Sequence, residues 1–309
     1  MNYFDKIVGQ TSAKRKLSFY LDNYQGSGVS PHMIFIGPKG MGKTMIAKEY
    51  ARNITKHAKP KKFIELNCSS IKSLRQIFDD VIVPHVMDKD VTILFDEASE
   101  LPEDVSMMLL TMLNPNKENK NSFSYDDFTI NIDFSKQTFL FATTEAHKIN
   151  FALIDRLTRV DLEDYTFSDL AEIMSKNLEH IKVESGVMDK VSSTLRGNAR
   201  QAQKMANDIN CYIQRKSDKG FSNTNWEELI KALDILPLGL NQTELRVLKV
   251  LSERKEVKLT NLAAILGMSR SSVQRDAELY LQRHNLMTIS LAGRSITAKG
   301  QVYLKQFSP

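Results

Sequence analysis

The sequence predicts an α/β P-loop domain, followed by a small all-α domain and a C-terminal winged helix. Three observations carry this prediction. Residues 1 to about 165 alternate short apolar runs with amphipathic stretches, the layout of a sheet with flanking helices. Within them, Gly37-Pro38-Lys39-Gly40-Met41-Gly42-Lys43-Thr44 spells G-x-x-x-x-G-K-[ST] between an apolar run and a helix-forming run. From Asn241 onward, helical stretches give way to two short alternating runs around a glycine and an arginine. A chain of 309 residues is long enough for two or three domains, and the expected boundaries are 1–165, 166–236 and 237–309.

The first strand is read at 33–37, directly ahead of the glycine-rich loop. Gly37, Gly40 and Gly42 let backbone N–H groups close around phosphate oxygens, and the following helix adds the partial positive charge of its N-terminus. Lys43 is placed to reach the β- and γ-phosphates, Thr44 to offer its hydroxyl to Mg²⁺, and Met45 to begin the helix beside the nucleotide. Further strands are read at 62–66, 91–95 and 138–143. The strand at 91–95 ends in Asp96-Glu97, and ligands of open α/β sheets gather at the carboxyl ends of strands. Asp96 is therefore the candidate for the Mg²⁺ shell, and Glu97 the candidate general base for an attacking water. An acidic pair after a strand also serves as a helix cap; a phosphate loop about fifty residues upstream favours the hydrolytic role. The polar stretch 114–121 reads as a loop.

Residues 167–234 lose the strand pattern. Apolar residues recur at helical spacing from Leu170 to Leu178, through 199–213 and through 226–235. Pro237-Leu238-Gly239 punctuates the chain. Helices are then expected at 240–252 and 259–266, with Ser269 capping a long amphipathic helix over 270–284. The runs 286–290 and 295–297 complete a winged helix, whose third helix and wing can both touch a duplex.

Charge is unevenly placed. Residues 239–309 carry 11 Lys+Arg against 5 Asp+Glu, which leaves 42 − 11 = 31 basic and 37 − 5 = 32 acidic residues elsewhere. The whole basic excess falls in the winged-helix segment, where a nucleic-acid footprint belongs. No apolar run is long enough to span a bilayer, and no apolar segment follows the first residues as in a signal peptide. Cys68 and Cys211 stand far apart with no partner pattern. A cytoplasmic location is expected.

These residues, in this order, resemble the AAA+ ATPases, and more closely the RuvB family of branch-migration motors, over nearly the full length. Phe4-Asp5-Lys6-Ile7-Val8-Gly9-Gln10 resembles the family's N-terminal segment, which implies that Ile7 and Val8 pack on adenine. Lys43 and Thr44 fall on Walker A, and Asp96 and Glu97 on Walker B. Ala142-Thr143-Thr144 resembles sensor 1, with Thr144 as the sensing hydroxyl. Asp155-Arg156-Leu157 resembles the segment that makes Arg156 an arginine finger for a neighbouring subunit. Tyr165-Thr166 resembles the start of the lid, with Tyr165 beside the base, and Arg196-Gly197-Asn198-Ala199-Arg200 gives Arg200 the sensor 2 role. Gly293-Arg294 with Thr297 resembles the family's wing, making Arg294 the DNA-contact candidate.

The resemblance implies ATP and Mg²⁺, a hexameric homo-oligomeric ring, and translocation of double-stranded, branched DNA. It further implies a RuvA-like junction-binding partner docking through residues 123–134. Glu145, Ile154 and Ile289 depart from the family's arginines, and the hairpin around 123–132 is short and differently decorated. The competing expectation is a nucleotide-switched module of the clamp-loader, helicase-loader or origin-initiator type. Glu65-Leu66-Asn67-Cys68-Ser69-Ser70 resembles clamp-loader subunits, but their "S-R-C" finger is absent.

Overall fold

Five parallel strands form the central sheet: β1 Met33–Ile36, β2 Lys62–Asn67, β3 Val91–Asp96, β4 Gln137–Thr143 and β5 Thr158–Asp161, in the order β2-β3-β4-β1-β5. Successive side chains alternate between the two faces, and both faces are covered. Val91, Ile93 and Phe95 of β3 join Ile34, Phe139 and Phe141 in one apolar cluster. Leu94, Met33, Phe35, Leu140 and Ala142 point into the other. That two-sided burial explains why the inner strands β1, β3 and β4 read as apolar runs. Phe95 stacks on Phe141 at 5.0 Å between ring centroids; truncating such a buried ring costs about 3–5 kcal/mol.

The structure is a computed structural model that describes residues 3–56, 59–125, 128–216 and 220–306. The chain divides into two compact units, Met1–Ile181 with Gly197–Arg215, and Lys182–Arg196 with Lys216–Pro309. The first holds the sheet and helices α1 Thr11–Ser27, α2 Lys43–Asn53, α3 Glu103–Met112, α4 Phe167–Asn177 and most of α5 Ala199–Lys216. The helical stretch expected over 166–236 is thus shared: Val187–Ser192 and Asn223–Ala232 belong to the second unit. α4 starts at a capping box in which Thr166 and Asp169 exchange side-chain and backbone hydrogen bonds.

The second unit also carries α6 Gln242–Glu253, α7 Leu259–Leu266, α8 over 270–283, the antiparallel pair β6 Met287–Ile289 and β7 Arg294–Ile296, and α9 Ala298–Lys305. Their apolar faces meet in one cluster that includes Leu248, Leu262, Val273, Leu281 and Leu286. α8 is not uniform, for residues Gln274–Glu278 form a widened π turn.

One strand, and the start of the anticipated hairpin, escaped the sequence pattern. β5 shows the burial alternation of an edge strand, with Val160 its one buried side chain. The loop read at 114–121 ends early, because Lys120–Tyr125 pairs with Phe128–Asp133 as a hairpin. Its inward face is Phe123, Tyr125, Ile130 and Ile132, packed with the sheet's first apolar cluster. Its outward face is Ser122, Ser124, Thr129 and Asn131, hydrogen-bonded to one another in cross-strand pairs. Asp126 and Asp127 of the anticipated hairpin lie outside the described residues. Among the described residues no helix is long and apolar enough to cross a membrane.

His32, just ahead of β1, is buried between Phe134 and Phe139, and its Nδ1 accepts the Phe139 N–H at 3.1 Å. Burial, reinforced by nearby Lys61, holds its pKa down to about 3. The unfolded chain binds this proton near pH 6.5 while the folded chain does not, so stability falls as pH drops below about 6.5. Between pH 7 and pH 5 this one group is expected to remove about 2 kcal/mol of unfolding free energy. Denaturant melts of wild type and His32→Asn at the two pH values check this; the variant lacks that part of the loss.

Candidate functional site

The strand order sets the site. β1 and β3 lie on either side of β4, so the ends of all three strands open toward one cleft. That cleft has a volume of ≈ 780 Å³, within the range of small-molecule sites. The loop after β1 delivers Lys43 and Thr44, β3 delivers Asp96 and Glu97, and β4 delivers Thr143 and Thr144.

The loop backbone is built for close approach. Gly40 has φ +85° and Gly42, the N-cap of α2, φ +84°. A Cβ on Gly40 would lie 2.8 Å from Oδ1 of Asn198, so a side chain there meets both strain and a neighbour. The first N–H groups of α2 lack intrahelical partners and supply partial positive charge at the cleft. Gly37 does not itself line the cleft; its carbonyl, with that of Pro38, accepts hydrogen bonds from Lys43 Nζ at 2.8 and 2.9 Å. Lys43 is therefore held in place by its own loop. Burial pulls its pKa below the ordinary lysine value; Asp96 and Glu97 oppose that pull, and Arg200 adds to it.

Thr44 Oγ1 donates to Asp96 Oδ2 at 2.8 Å, while Asp96 Oδ1 accepts the Glu97 N–H at 3.0 Å. Hydroxyl and carboxylate thus face each other across the floor of the cleft. Glu97 sits in the left-handed region, φ 55° and ψ 45°. That conformation costs a β-carbon-bearing residue about 1–2 kcal/mol, and such strain collects at functional sites. Thr143 is buried and its hydroxyl accepts the Glu145 N–H at 3.0 Å, which fixes the turn that leaves Thr144 exposed to the cleft.

At the opposite wall, Ile7 and Val8 line the cleft from the N-terminal segment, and Met45 and Tyr165 join them. The neighbouring Gln10 closes a reciprocal pair with Glu163: its Nε2 donates to the Glu163 carbonyl at 2.7 Å, and its Oε1 accepts the Glu163 N–H at 3.0 Å. Tyr165 donates its hydroxyl to the Met41 carbonyl at 3.1 Å, tying the start of the helical segment to the phosphate loop. Arg200, on the first turn of α5, completes the lining. Sequence reasoning missed Lys176 and Asn177 at the end of α4, and Gln203 one turn beyond Arg200. The i, i+3 spacing of Arg200 and Gln203 was the available signal.

Two arginines singled out from the sequence stand outside this cleft. Arg156 donates to the Ala152 carbonyl at 2.6 Å and to Asn114 Oδ1 at 3.3 Å, and its Nε is buried with no hydrogen-bond partner among the described residues. Arg294, read as the wing's DNA contact, is turned inward. Its Nε and a terminal nitrogen donate to the two carboxylate oxygens of Glu278 at 2.8 and 3.2 Å, and Glu278 is only 2% exposed. The π turn in α8 includes Glu278, and two-pronged pairing with a buried carboxylate neutralises the arginine. At the wing's outer end the structure exposes Ile289 and Leu291 instead.

A Mg²⁺-nucleotide fits the donor set. One hydroxyl and one carboxylate meet at the mouth of an anion-binding loop, and Mg²⁺ binds through few protein ligands plus water and phosphate oxygens. Among the described residues no group of three or more His, Cys, Asp and Glu side chains forms a metal cage.

Comparison with known proteins agrees with this geometry. Residues 33–165 match the AAA family, ATPases associated with various cellular activities, and residues 237–305 match the RuvB C-terminal winged helix domain. The chain is 24% identical to the Holliday junction branch migration complex subunit RuvB of Lactobacillus helveticus, over 97% of this chain and 86% of that protein. It is 25% identical to the same subunit of Thermotoga maritima, over 99% of this chain and 91% of that one. The solved structure of the Thermotoga maritima RuvB Holliday junction branch migration motor superposes with a TM-score of 0.76 at 21% identity, covering 100% of this chain and 99% of that one. The chain thus carries an AAA ATPase domain and a RuvB-type winged helix, and it is similar to RuvB subunits over nearly all of its length.

Proposed function

We propose that this protein is an ATP-driven motor that moves double-stranded DNA at branched junctions. The observation that carries the reading is the pairing of Thr44 with Asp96 at 2.8 Å, with Lys43 and Glu97 beside them, on a chain that also carries a RuvB-type winged helix. Loop N–H groups and Lys43 bind the triphosphate, and Arg200 contacts it from the helical side. Ile7, Val8, Met45 and Tyr165 form the wall for the base. Thr44 and, through water, Asp96 hold Mg²⁺, which when bound neutralises charge on the β- and γ-phosphates. Glu97 accepts a proton from the attacking water, and Thr144 orients that water.

Arg156 belongs to the site of the next protomer in a hexameric ring. Its position outside its own cleft supports this, and an arginine donated in trans stabilises the charge that develops in phosphoryl transfer. The functional modules are 1–165, 166–236 and 237–309. DNA is held chiefly through phosphates, because a translocating protein must remake contacts that carry no base information. Exposed Arg270 on α8 is better placed for that than Arg294, whose charge Glu278 already offsets, or than Arg275, which is exposed but paired with Asp276. The outward face of the hairpin at 120–133 is Ser, Thr and Asn, so a RuvA-like partner docking through residues 123–134 would meet hydrogen-bonding groups rather than an apolar patch. The setting is the cytoplasm.

Three outcomes are expected. Full-length protein dissociates a four-way DNA junction in the presence of ATP and Mg²⁺, measured by gel; binding without any ATP-dependent dissociation contradicts the motor reading. Glu97→Gln still binds nucleotide but hydrolyses it about 10²- to 10⁴-fold more slowly in a phosphate-release assay. For Arg156→Ala the assay shows a loss of about 10³- to 10⁵-fold with nucleotide affinity kept; unchanged hydrolysis rules out the finger.

A further inference from the structure

Arg196 lies at the point where the chain leaves the second unit: Lys182–Arg196 belong to it, and Gly197 begins the segment of the first unit that carries Arg200. Its side chain is committed within the second unit. One terminal nitrogen donates to Glu244 Oε1 at 2.5 Å, and the guanidinium lies 3.7 Å from the centroid of the Tyr280 ring. Glu244 is fully buried, on the first turn of α6, and its other oxygen accepts the Asn241 N–H at 2.8 Å. Tyr280, on α8, donates its hydroxyl to the Leu238 carbonyl at 2.5 Å.

The backbone at this point is equally tight. A Cβ on Gly239 would lie 2.1 Å from the Thr194 carbonyl oxygen, so the residues before Arg196 run against the entry to the winged helix with no room for a side chain. Tyr303 of α9 donates to the Pro237 carbonyl at 2.9 Å and closes the other side. Burial pushes the Glu244 carboxyl up, and Asn241 and Arg196 both act to bring it down. A buried carboxylate with a stacked, hydrogen-bonded arginine is a stiff junction; breaking it leaves a charge in the interior.

We infer that Arg196 is a positioning residue that clasps the winged helix to the segment leading into Arg200, so that a load on DNA is passed to the nucleotide-contacting arginine. This rests on the proposed motor function, in which Arg200 touches the phosphates and the winged helix holds duplex DNA. Three residues of chain separate the clasp from Arg200, and the turn between them contains Gly197 at φ +75°. The clasp keeps α6 and α8 from moving independently of Arg196 itself. A winged helix attached only through the 237–241 linker would shift on DNA without moving it.

The test uses the full chain and a variant that removes the ion pair without stranding a charge, Arg196→Met combined with Glu244→Gln. ATP hydrolysis is measured without DNA and at saturating duplex, and duplex affinity is measured by anisotropy. The expected result is DNA-independent hydrolysis within about twofold of wild type and unchanged duplex affinity. The stimulation by DNA falls by at least about fivefold, the lower end of typical coupling between sites. Arg196→Lys, which keeps the charge but not the planar stacking, is expected to retain part of the stimulation. Full stimulation in the double variant overturns the inference alone. Equal loss of unstimulated hydrolysis and of DNA affinity, with a lowered melting temperature, marks a merely structural role and also overturns it. A wild type that DNA does not stimulate removes the motor reading, and this inference with it.

Discussion

The organisation of the nucleotide-binding unit depends on a short contact between a hydroxyl and a carboxylate that lie 52 residues apart in sequence, Thr44 Oγ1 and Asp96 Oδ2. Neither residue can be moved without moving the sheet. Thr44 follows β1 through a loop whose glycines hold positive φ, and Asp96 ends β3. β4 lies between those strands and supplies the threonines. The stacked phenylalanines of β3 and β4 keep the strand ends in register, so packing beneath the sheet sets the geometry above it. Preorganised donors and charges stabilise a transition state only if they need not rearrange as charge develops. A rigid parallel sheet buried on both faces meets that requirement.

Much of this was legible in the sequence because the chemistry is local. Lys43 and Thr44 sit in one eight-residue loop, and Asp96 and Glu97 end one apolar run. The sheet strands at 33–36, 91–96 and 137–143 were readable because burial on both faces demands unbroken apolar stretches, whereas the edge strand at 62–67 was read although none of its side chains is fully buried. β5 was not readable, since an edge strand needs only Val160 inside. The start of the hairpin was hidden by Lys120, Asn121 and Ser122, whose polarity suits a loop equally well. On the far wall, Lys176 and Asn177 join the cleft through the folding of α4, and their ordinary helical sequence carries no mark of it; Gln203 was marked only by its i, i+3 spacing from Arg200. Ile7 and Val8 were reached only through a family resemblance.

The two arginines of the second unit show where sequence motifs mislead about environment. Arg294 lies in a Gly-Arg pair that reads as a phosphate contact, yet Glu278 binds it in a two-pronged pair. Arg196 lies in the motif that marks Arg200, yet it turns to Glu244 and Tyr280. In both cases the partner is a buried glutamate on a winged-helix element. Desolvating such a pair yields little net stability compared with apolar packing, but it fixes orientation strongly. The winged helix thus neutralises its own Arg294 and the Arg196 that precedes it, and leaves surface contact to residues such as Arg270. Each pair takes a glutamate of 239–309 inside, Glu244 or Glu278, so the surplus of basic residues in this segment is not reduced by them.

The central claim is that one protomer binds the nucleotide while a neighbouring copy supplies Arg156 to complete the catalytic centre. Mixing two defective proteins tests it most directly: Lys43→Ala, which cannot hold the triphosphate, and Arg156→Ala, which cannot donate the finger. Each alone should hydrolyse almost no ATP. Mixed under conditions where both assemble, they should recover hydrolysis, because interfaces form in which an intact loop meets an intact arginine. A mixture that co-assembles and stays as inactive as its components would contradict a shared site.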